Sequence, residues 1–320
     1  KNLKNMVKLS SHGKFIKFNS DNFNSKFIPN HIRNWTLSNF KKEFVIDISP
    51  RVQFIIATDS SGKLPSNTYM LRNIILSMIN SFGHEKNIQI KYFPTPFKKL
   101  WDTKEPLNYE HVNSGYCSIE PIQNKIIIFR EEEANKVLIH ELIHALELHC
   151  IHHGTINTSL EIDILSESYD ESIVETWATI LNLHRLASGN NGFFDIPRDN
   201  PNQLNYLFKT ELFKDERNFC LKQAAKILKI HECNYNGIEC IKNIPKSPSI
   251  YSYYILKGAL LCNPEKFIKQ FWWTKINNCE SIPYSYVNQY LQNEFYIDNI
   301  NKYYTNLNLF TKNMRMTKYD

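Results

Sequence analysis

The stretch "KVLIHELIHALELH" (136–149) decides how the fold is interpreted, because it places polar residues inside a strongly apolar run. His140 and His144 are four residues apart, so about 40° separates them on an α-helix and both rings project to one side. Glu141 lies beside that face. Burying imidazole and carboxylate groups without partners costs free energy. The stretch therefore predicts an apolar helix whose polar side chains share a partner.

The sequence before this helix has a mixed pattern. Apolar residues alternate or run together over strand length at 43–49, 52–59, 87–93, 114–121 and 124–130. A helix is predicted at 67–83, where the apolar spacing is helical and a glycine follows. The central helix is expected to run from "REEEANKV" to about Cys150, with Glu131 to Glu133 in its first turn, where the helix dipole favours negative charge.

The sequence after the central helix is mostly helical. The predicted helices are separated by Pro and Asn-Gly and span about 160–188, 203–231, 248–262, 264–276 and 283–295. The expected fold is therefore α+β, with a mixed sheet and helices in an N-terminal lobe, a central helix, and a mostly helical C-terminal lobe. The predicted organisation is an N-terminal arm (1–42), a mixed lobe (43–153) and a helical lobe (154–320).

Composition restricts the class of protein. The chain has 320 residues, of which 42% are hydrophobic and 22% charged, which is typical of a globular protein. The formal net charge is +6, and the basic residues are scattered near acids, so no nucleic-acid partner is predicted. No apolar run reaches the roughly 18 residues of a membrane span. The N-terminus lacks the apolar core of a secretory signal.

Seven cysteines are spread along the chain. An odd number at wide spacing favours free thiols in a reducing compartment over a disulfide framework. A cytoplasmic, non-secreted protein is therefore predicted. The oligomeric state cannot be predicted.

The central helix carries the chemistry that the sequence predicts. Two neutral imidazoles on one helix face form half of a tetrahedral zinc site. In the H-E-x-x-H pattern, His140 and His144 bind Zn²⁺ and Glu141 serves as general base in metal-assisted hydrolysis. The competing interpretation is a helix whose histidines are satisfied by hydrogen bonds in the core.

A third protein ligand is expected in "SESYDESIVETWATILN" (166–182). Glu171 and Glu175 are four residues apart and share one helix face, so one can bind zinc while the other accepts an N–H from a ligating histidine. Glu167 is a weaker candidate. The alternative is an acidic, solvated face, which the apolar residues of the same helix disfavour.

The segments "HELIHALELH" and "DESIVETWA" together resemble the gluzincin group of zinc metallopeptidases, typified by thermolysin and by the aminopeptidases with an N-E-x-x-x-E helix. The resemblance covers about 114–182, and it implies that Glu171 is the third ligand and that Glu175 supports a ligating histidine. It also implies a peptide or protein substrate, bound antiparallel to an edge strand, "SGYCSIEP". The aminopeptidase signature G-x-M-E-N is absent, so an aminopeptidase is not supported.

Two further features belong to this resemblance. "SIYSYYILKGALL" (249–261) is similar to the Tyr-bearing Y-x-K-G helix of the aminopeptidase group, except that the Tyr lies one residue further from Lys-Gly. Tyr254 is the predicted donor to the oxyanion, with Tyr251 and Tyr253 left open. The pattern "EEE..KVLIHELIHAL" is similar to that of relatives from large DNA viruses, which agrees with a residue bias typical of AT-rich genomes.

Other polar clusters have weaker interpretations. "HCIHHG" (149–154) is interpreted as a helix end and not as a second metal site. "HECNYNGIEC" (231–240) is interpreted as a loop with free thiols at Cys233 and Cys240, with a disulfide as the minor alternative. Arg315 is either a surface residue or a group that binds a substrate carboxylate.

Two rival functions remain open. The chain would be a structural or virion-associated protein if zinc only stabilised its fold. It would be a hydrolase of non-peptide amides if the shape of the cleft favoured them.

Overall fold

The computed structural model of this chain describes residues 13–23, 25–102, 106–148, 160–189, 192–235, 244, 250–272, 289–306 and 312–320. For residues 21–22, 160–168 and 251 it describes the backbone alone.

In the described part of the chain, six strands form one mixed sheet. They are β1 (Lys14–Lys17), β2 (Lys42–Ser49), β3 (Val52–Thr58), β4 (Asn87–Tyr92), β5 (Gly115–Ser118) and β6 (Gln123–Ile128). Their order across the sheet is β1-β2-β3-β4-β6-β5. The central pairs β3–β4 and β4–β6 are parallel, whereas β1–β2, β2–β3 and β5–β6 are antiparallel. β5 is therefore an edge strand.

Helices alternate with strands along the first half of the chain, and the described elements of the second half are all helical. The helices are α1 (Asn30–Asn39), α2 (Thr68–Phe82), α3 (Tyr109–Val112), α4 (Ala134–Ala145), α5 (Leu160–Ser188), α6 (Glu211–Ile230), α7 (Lys257–Leu260), α8 (Pro264–Gln270) and α9 (Glu294–Asn306). A π-helix, Tyr251–Leu256, runs directly into α7. Short 3₁₀ turns lie at Ser20–Phe23, Pro201–Leu204 and Leu207–Lys209. The predicted α+β fold is confirmed.

The chain divides into two compact units, each drawing on separate stretches of sequence. The first consists of Lys1–Lys98, Asn113–Leu146 and Gly189–Asp195. It holds the whole sheet, and α4 packs within it against α2, β5 and β6. The central strands are buried on both faces, which is usual for parallel strands. This packing places the H-E-x-x-H helix beside the edge of the sheet that β5 forms.

The second unit consists of Lys99–Val112, Glu147–Ser188 and Ile196–Asp320. Its core forms around Trp177 of α5, a fully buried side chain whose Nε1 donates to the carbonyl of Phe271 at 3.1 Å. The indole also contacts the ring of Phe267, at 5.2 Å between ring centroids. Burial of such large aromatic groups is the main stabilising contribution within this helical unit.

The N-terminal part of the chain differs from the predicted irregular arm. Residues 14–17 form β1, and residues 30–39 form α1. Side chains of Phe23, Ile28 and Ile32 join Phe93 and Phe129 in one buried cluster. The phenylalanines that are scattered among polar residues in this region thus anchor it to the sheet.

The central helix is shorter than predicted, because it begins at Ala134 and ends at Ala145. The backbone N–H of Glu131 donates to the carbonyl of Thr95 at 3.1 Å. This bond holds residues 131–133 outside the helix. Glu133, the N-cap residue, has a left-handed conformation with φ 62°. At the other end, Glu147 is left-handed with φ 54°, which stops the helix.

Smaller differences occur in the second half. The predicted helix 203–231 begins only at Glu211, after two 3₁₀ turns, and the predicted helix 264–276 ends at Gln270. The predicted helix 283–295 falls mainly on residues outside the described part, and α9 begins at Glu294. Among the described residues, no helix combines the length and apolar character needed to cross a membrane.

Candidate metal centre

Helix α4 positions the first candidate side chains. Leu138, Ile139, Leu142 and Ile143 are fully buried, so they fix the helix in the core. His140, on the same helix, is 6% exposed. His144 is half-buried. The apolar residues of the motif thus hold the two rings in place, as the sequence pattern predicted.

The two imidazoles converge on one point. The Nε2 atoms of His140 and His144 lie 3.2 Å apart, and the ring planes are inclined by 59°. Two nitrogen ligands of a tetrahedral zinc ion, each about 2.05 Å from the metal, lie about 3.3 Å apart. The spacing of these two nitrogens therefore fits ligation of one ion.

Glu171 of α5 completes a candidate ligand set. One ligand atom from each of His140, His144 and Glu171 lies within 4.8 Å of the other two. Glu171 is half-buried. Two imidazoles and one carboxylate are a donor set that catalytic zinc sites use, with a fourth position left for water or substrate. The residues present therefore fit a catalytic divalent ion.

Glu141 lies next to the backbone of the edge strand. A Cβ built on Gly115 would come within 3.5 Å of Glu141 Oε1. It would also lie 2.8 Å from the carbonyl oxygen of Ile127 and 2.9 Å from Val137 Cγ1. Only glycine allows β5 to pass this close to β6 and α4. A carboxylate, the edge of a sheet and the imidazole pair are thereby brought together in one region.

Gly115 and Arg130 were missed by the sequence analysis. A glycine inside a strand pattern indicates close approach of another backbone, so Gly115 carried a usable signal. Arg130 is fully buried, and its Nε and Nη1 donate to the carbonyls of Asn113 and Lys98 at 3.0 and 2.6 Å. These two acceptors lie 17 and 32 residues away along the chain. Nothing local in the sequence indicates them.

Glu175, one turn after Glu171, has a buried cationic partner. Its Oε1 lies 3.1 Å from Lys257 Nζ, and both side chains are 1% exposed. The Lys257 ammonium also donates to the carbonyl of Met316. Support of a ligating histidine by Glu175 stays a prediction.

Tyr254 lies in the π-helix and is 1% exposed. Its hydroxyl donates to the carbonyl of Met314 at 2.6 Å. The hydroxyl would have to leave this carbonyl before it could donate to an oxyanion, so the role of Tyr254 stays a prediction. Tyr253 and Arg315 are half-buried. The side chain of Tyr251 lies outside the described residues.

The cysteines require one correction. Cys117, Cys220 and Cys262 are free, as predicted, but Cys233 is disulfide-bonded. The free-thiol interpretation of "HECNYNGIEC" is therefore wrong for Cys233, and the disulfide that it held as the minor alternative is present. Three earlier predictions fall outside the described part of the chain. They concern Cys240, the "HCIHHG" residues 149–154 and the side chain of Glu167.

Comparison with protein-family models, with curated proteins and with solved structures finds no match to this chain. The resemblance to gluzincins therefore depends on the two motifs and stays a prediction.

Proposed function

We propose that the chain is a zinc-dependent metallopeptidase. The observation that carries the proposal is the convergence of His140, His144 and Glu171 within 4.8 Å. It is supported by the 3.2 Å separation of the two Nε2 atoms. Two imidazoles and a carboxylate from a separate helix are also the donor set that catalytic zinc sites use.

Each residue has a separate task in this proposal. His140, His144 and Glu171 hold the ion. Zinc at this position would polarise a substrate carbonyl and acidify a water molecule. Glu141 accepts a proton from the attacking water on its carboxylate and delivers it to the departing amine, as general base and then general acid. A peptide bond would thus be hydrolysed.

The edge strand supports a peptide as the substrate. β5 pairs with β6 on one side only, among the described strands, and an extended peptide can add to such an edge through backbone hydrogen bonds. Gly115 of β5 lies next to Glu141. A peptide paired with this strand would therefore run close to the proposed general base.

The experiment compares three proteins: wild type, Glu141→Gln and Glu131→Gln. Glu131 is exposed and precedes the helix, so it is a matched control of the same chemistry. Each protein is assayed for bound zinc and for cleavage of a peptide library. We expect all three to bind zinc, while only Glu141→Gln loses cleavage, by about 10²-fold or more.

Two results would overturn the proposal. Wild type that binds no zinc would remove the metal site altogether. Zinc binding without any cleavage that Glu141→Gln abolishes would favour the structural or virion-associated zinc protein instead.

We also propose a cytoplasmic location. The separate thiols Cys117, Cys220 and Cys262 support it. Fractionation of expressing cells tests the location, and recovery of the protein outside the cytoplasmic fraction would contradict it.

A further inference from the structure

A buried ion pair links the helix that carries Glu171 to the helix that follows the π-helix. Lys257 Nζ and Glu175 Oε1 are 3.1 Å apart, and each side chain is 1% exposed. Glu175 lies four residues after Glu171, so about 40° separates the two carboxylates around the axis of α5. A rotation of α5 about its axis that moves Glu175 therefore moves Glu171 by the same angle.

Lys257 itself is held from more than one side. Its ammonium donates to the backbone carbonyl of Met316 as well as to Glu175. It follows the π-helix immediately, and such wide turns are uncommon and frequently mark functional sites. Burial by itself would lower the pKa of Lys257, but Cys220, Glu175 and Glu216 raise it above the usual value. The carboxylate neighbours of Lys257 thus favour its charged form.

The other packing of α5 in this region is mainly apolar. The helix contacts the π-helix and α7, and Ile173, Val174 and Ala178, near Glu175 in sequence, are at most 3% exposed. One directional bond lies beside them, from Trp177 Nε1 to the carbonyl of Phe271. Apolar contacts are non-directional, so they resist a small rotation of α5 only through the packing of their shapes. An ion pair without access to water is different, because rotation would leave both charges buried and unpaired.

We infer that Lys257, through its ion pair with Glu175, is a positioning residue that sets the rotation of α5 and so aims the Glu171 carboxylate at the metal. The inference rests on the proposed function, and it concerns how the third ligand is presented. Lys257 touches neither metal nor substrate in this scheme. The turn of α5 that carries Glu171 is thus oriented by an ion pair as well as by apolar packing.

The test compares wild type, Lys257→Met, Lys257→Arg and the control Lys226→Met. Lys226 is also fully buried, and its Nζ donates to the carbonyl of Asn313, three residues before Met316. Three quantities are measured: the thermal midpoint, the Zn²⁺ affinity by competition with a chelator, and the visible absorption of the Co²⁺-loaded protein well below the midpoint. The cobalt spectrum reports ligand geometry, which a purely structural role would leave unchanged.

We expect Lys257→Met to bind Zn²⁺ about 10-fold more weakly, at the low end of the loss that follows removal of a group bonded to a ligand, because Lys257 acts on Glu171 only through α5. Its cobalt spectrum should change while the protein is still folded. Lys257→Arg, which keeps the cation, should recover most of the affinity. Lys226→Met should match wild type in affinity and spectrum, whatever its thermal midpoint.

Wild-type affinity and spectrum in folded Lys257→Met would overturn the inference, as would an equal loss in Lys226→Met. Should Lys257→Met not fold, Lys257→Gln supplies the same measurement, and wild-type affinity there has the same meaning. Absence of Zn²⁺ binding by wild type would instead defeat the proposed function, and with it the inference. The two failures are therefore distinguishable.

Discussion

His140 Nε2 and His144 Nε2 lie 3.2 Å apart on successive turns of α4, although each ring projects from a helix packed in the core. This relationship predicts that the folded protein gains stability from the metal.

Zinc at 100 times its dissociation constant should raise the free energy of unfolding of wild type by about 2.7 kcal/mol and so raise its thermal midpoint. Calorimetry with and without Zn²⁺ measures it. His144→Ala should lose the zinc-dependent increase. His184→Ala is the control, since that ring bonds to the hydroxyl of Tyr206 at 2.9 Å, and its increase should persist. A zinc-dependent increase that persists in His144→Ala would contradict the assignment of His144 as a zinc ligand.

Gly115→Ala should destabilise the fold by about 1–3 kcal/mol, because the new methyl would overlap the Ile127 carbonyl and Val137. Peptide cleavage should fall more than zinc binding, since the methyl approaches Glu141. Urea denaturation and a peptide assay check both effects. In Gly258→Ala the methyl meets its nearest atom at an ordinary 3.5 Å, so that variant should be neutral or slightly more stable. Equal losses of stability in Gly115→Ala and Gly258→Ala would contradict the close approach of Gly115 to Ile127 and Val137.

Lys226 should make the stability depend on pH in the alkaline range. Burial lowers its pKa from 10.5 to about 8. Between these values the unfolded chain holds one more proton than the folded chain, so the free energy of unfolding rises with pH, by up to about 1.4 kcal/mol per pH unit. Below pH 8 both states are protonated and this dependence vanishes.

Urea denaturation at pH 7, 9 and 10 measures this effect as the difference between wild type and Lys226→Met. Wild type should gain stability relative to the variant as the pH rises. A constant difference across the range would show that Lys226 keeps its proton.

Glu147→Gly should stabilise the protein by about 1 kcal/mol, because Glu147 has a left-handed backbone with φ 54° where glycine is at ease. Glu147→Ala keeps the backbone cost and should bring no gain. Thermal unfolding of both variants decides the matter, and a gain in the alanine variant alone would point to the side chain instead.

Much of the fold follows from local patterns. The strands at 43–49, 52–59 and 87–93 and the helix at 67–83 were predicted within about one residue, because their apolar spacing is strong. The start of α4 was predicted wrongly. The bond between Glu131 and Thr95 joins residues far apart in sequence, and it overrides the local helix preference. Residues 14–39 were missed for a similar reason.

The candidate site shows the same division. The spacing of His140, Glu141 and His144 is local, so all three could be proposed from sequence. The helical pattern left Glu171 and Glu175 open as the third ligand, and the resemblance to gluzincins favoured Glu171. The partner of Glu175 lies 82 residues away, at Lys257. No pattern in a single sequence indicates such a contact, and only the folded chain shows it.

Arg130 has a consequence for how this protein can change. One guanidinium holds the carbonyls of Lys98 and Asn113, the two residues that flank 99–112. The entry into β5 is thereby independent of the length of the intervening segment, and loop closure penalises added residues only weakly. Residues can thus be added beside the exposed Asp102 or Pro106 while Gly115 keeps its place beside Glu141, whereas the buried Trp101, Leu107 and Val112 must be retained.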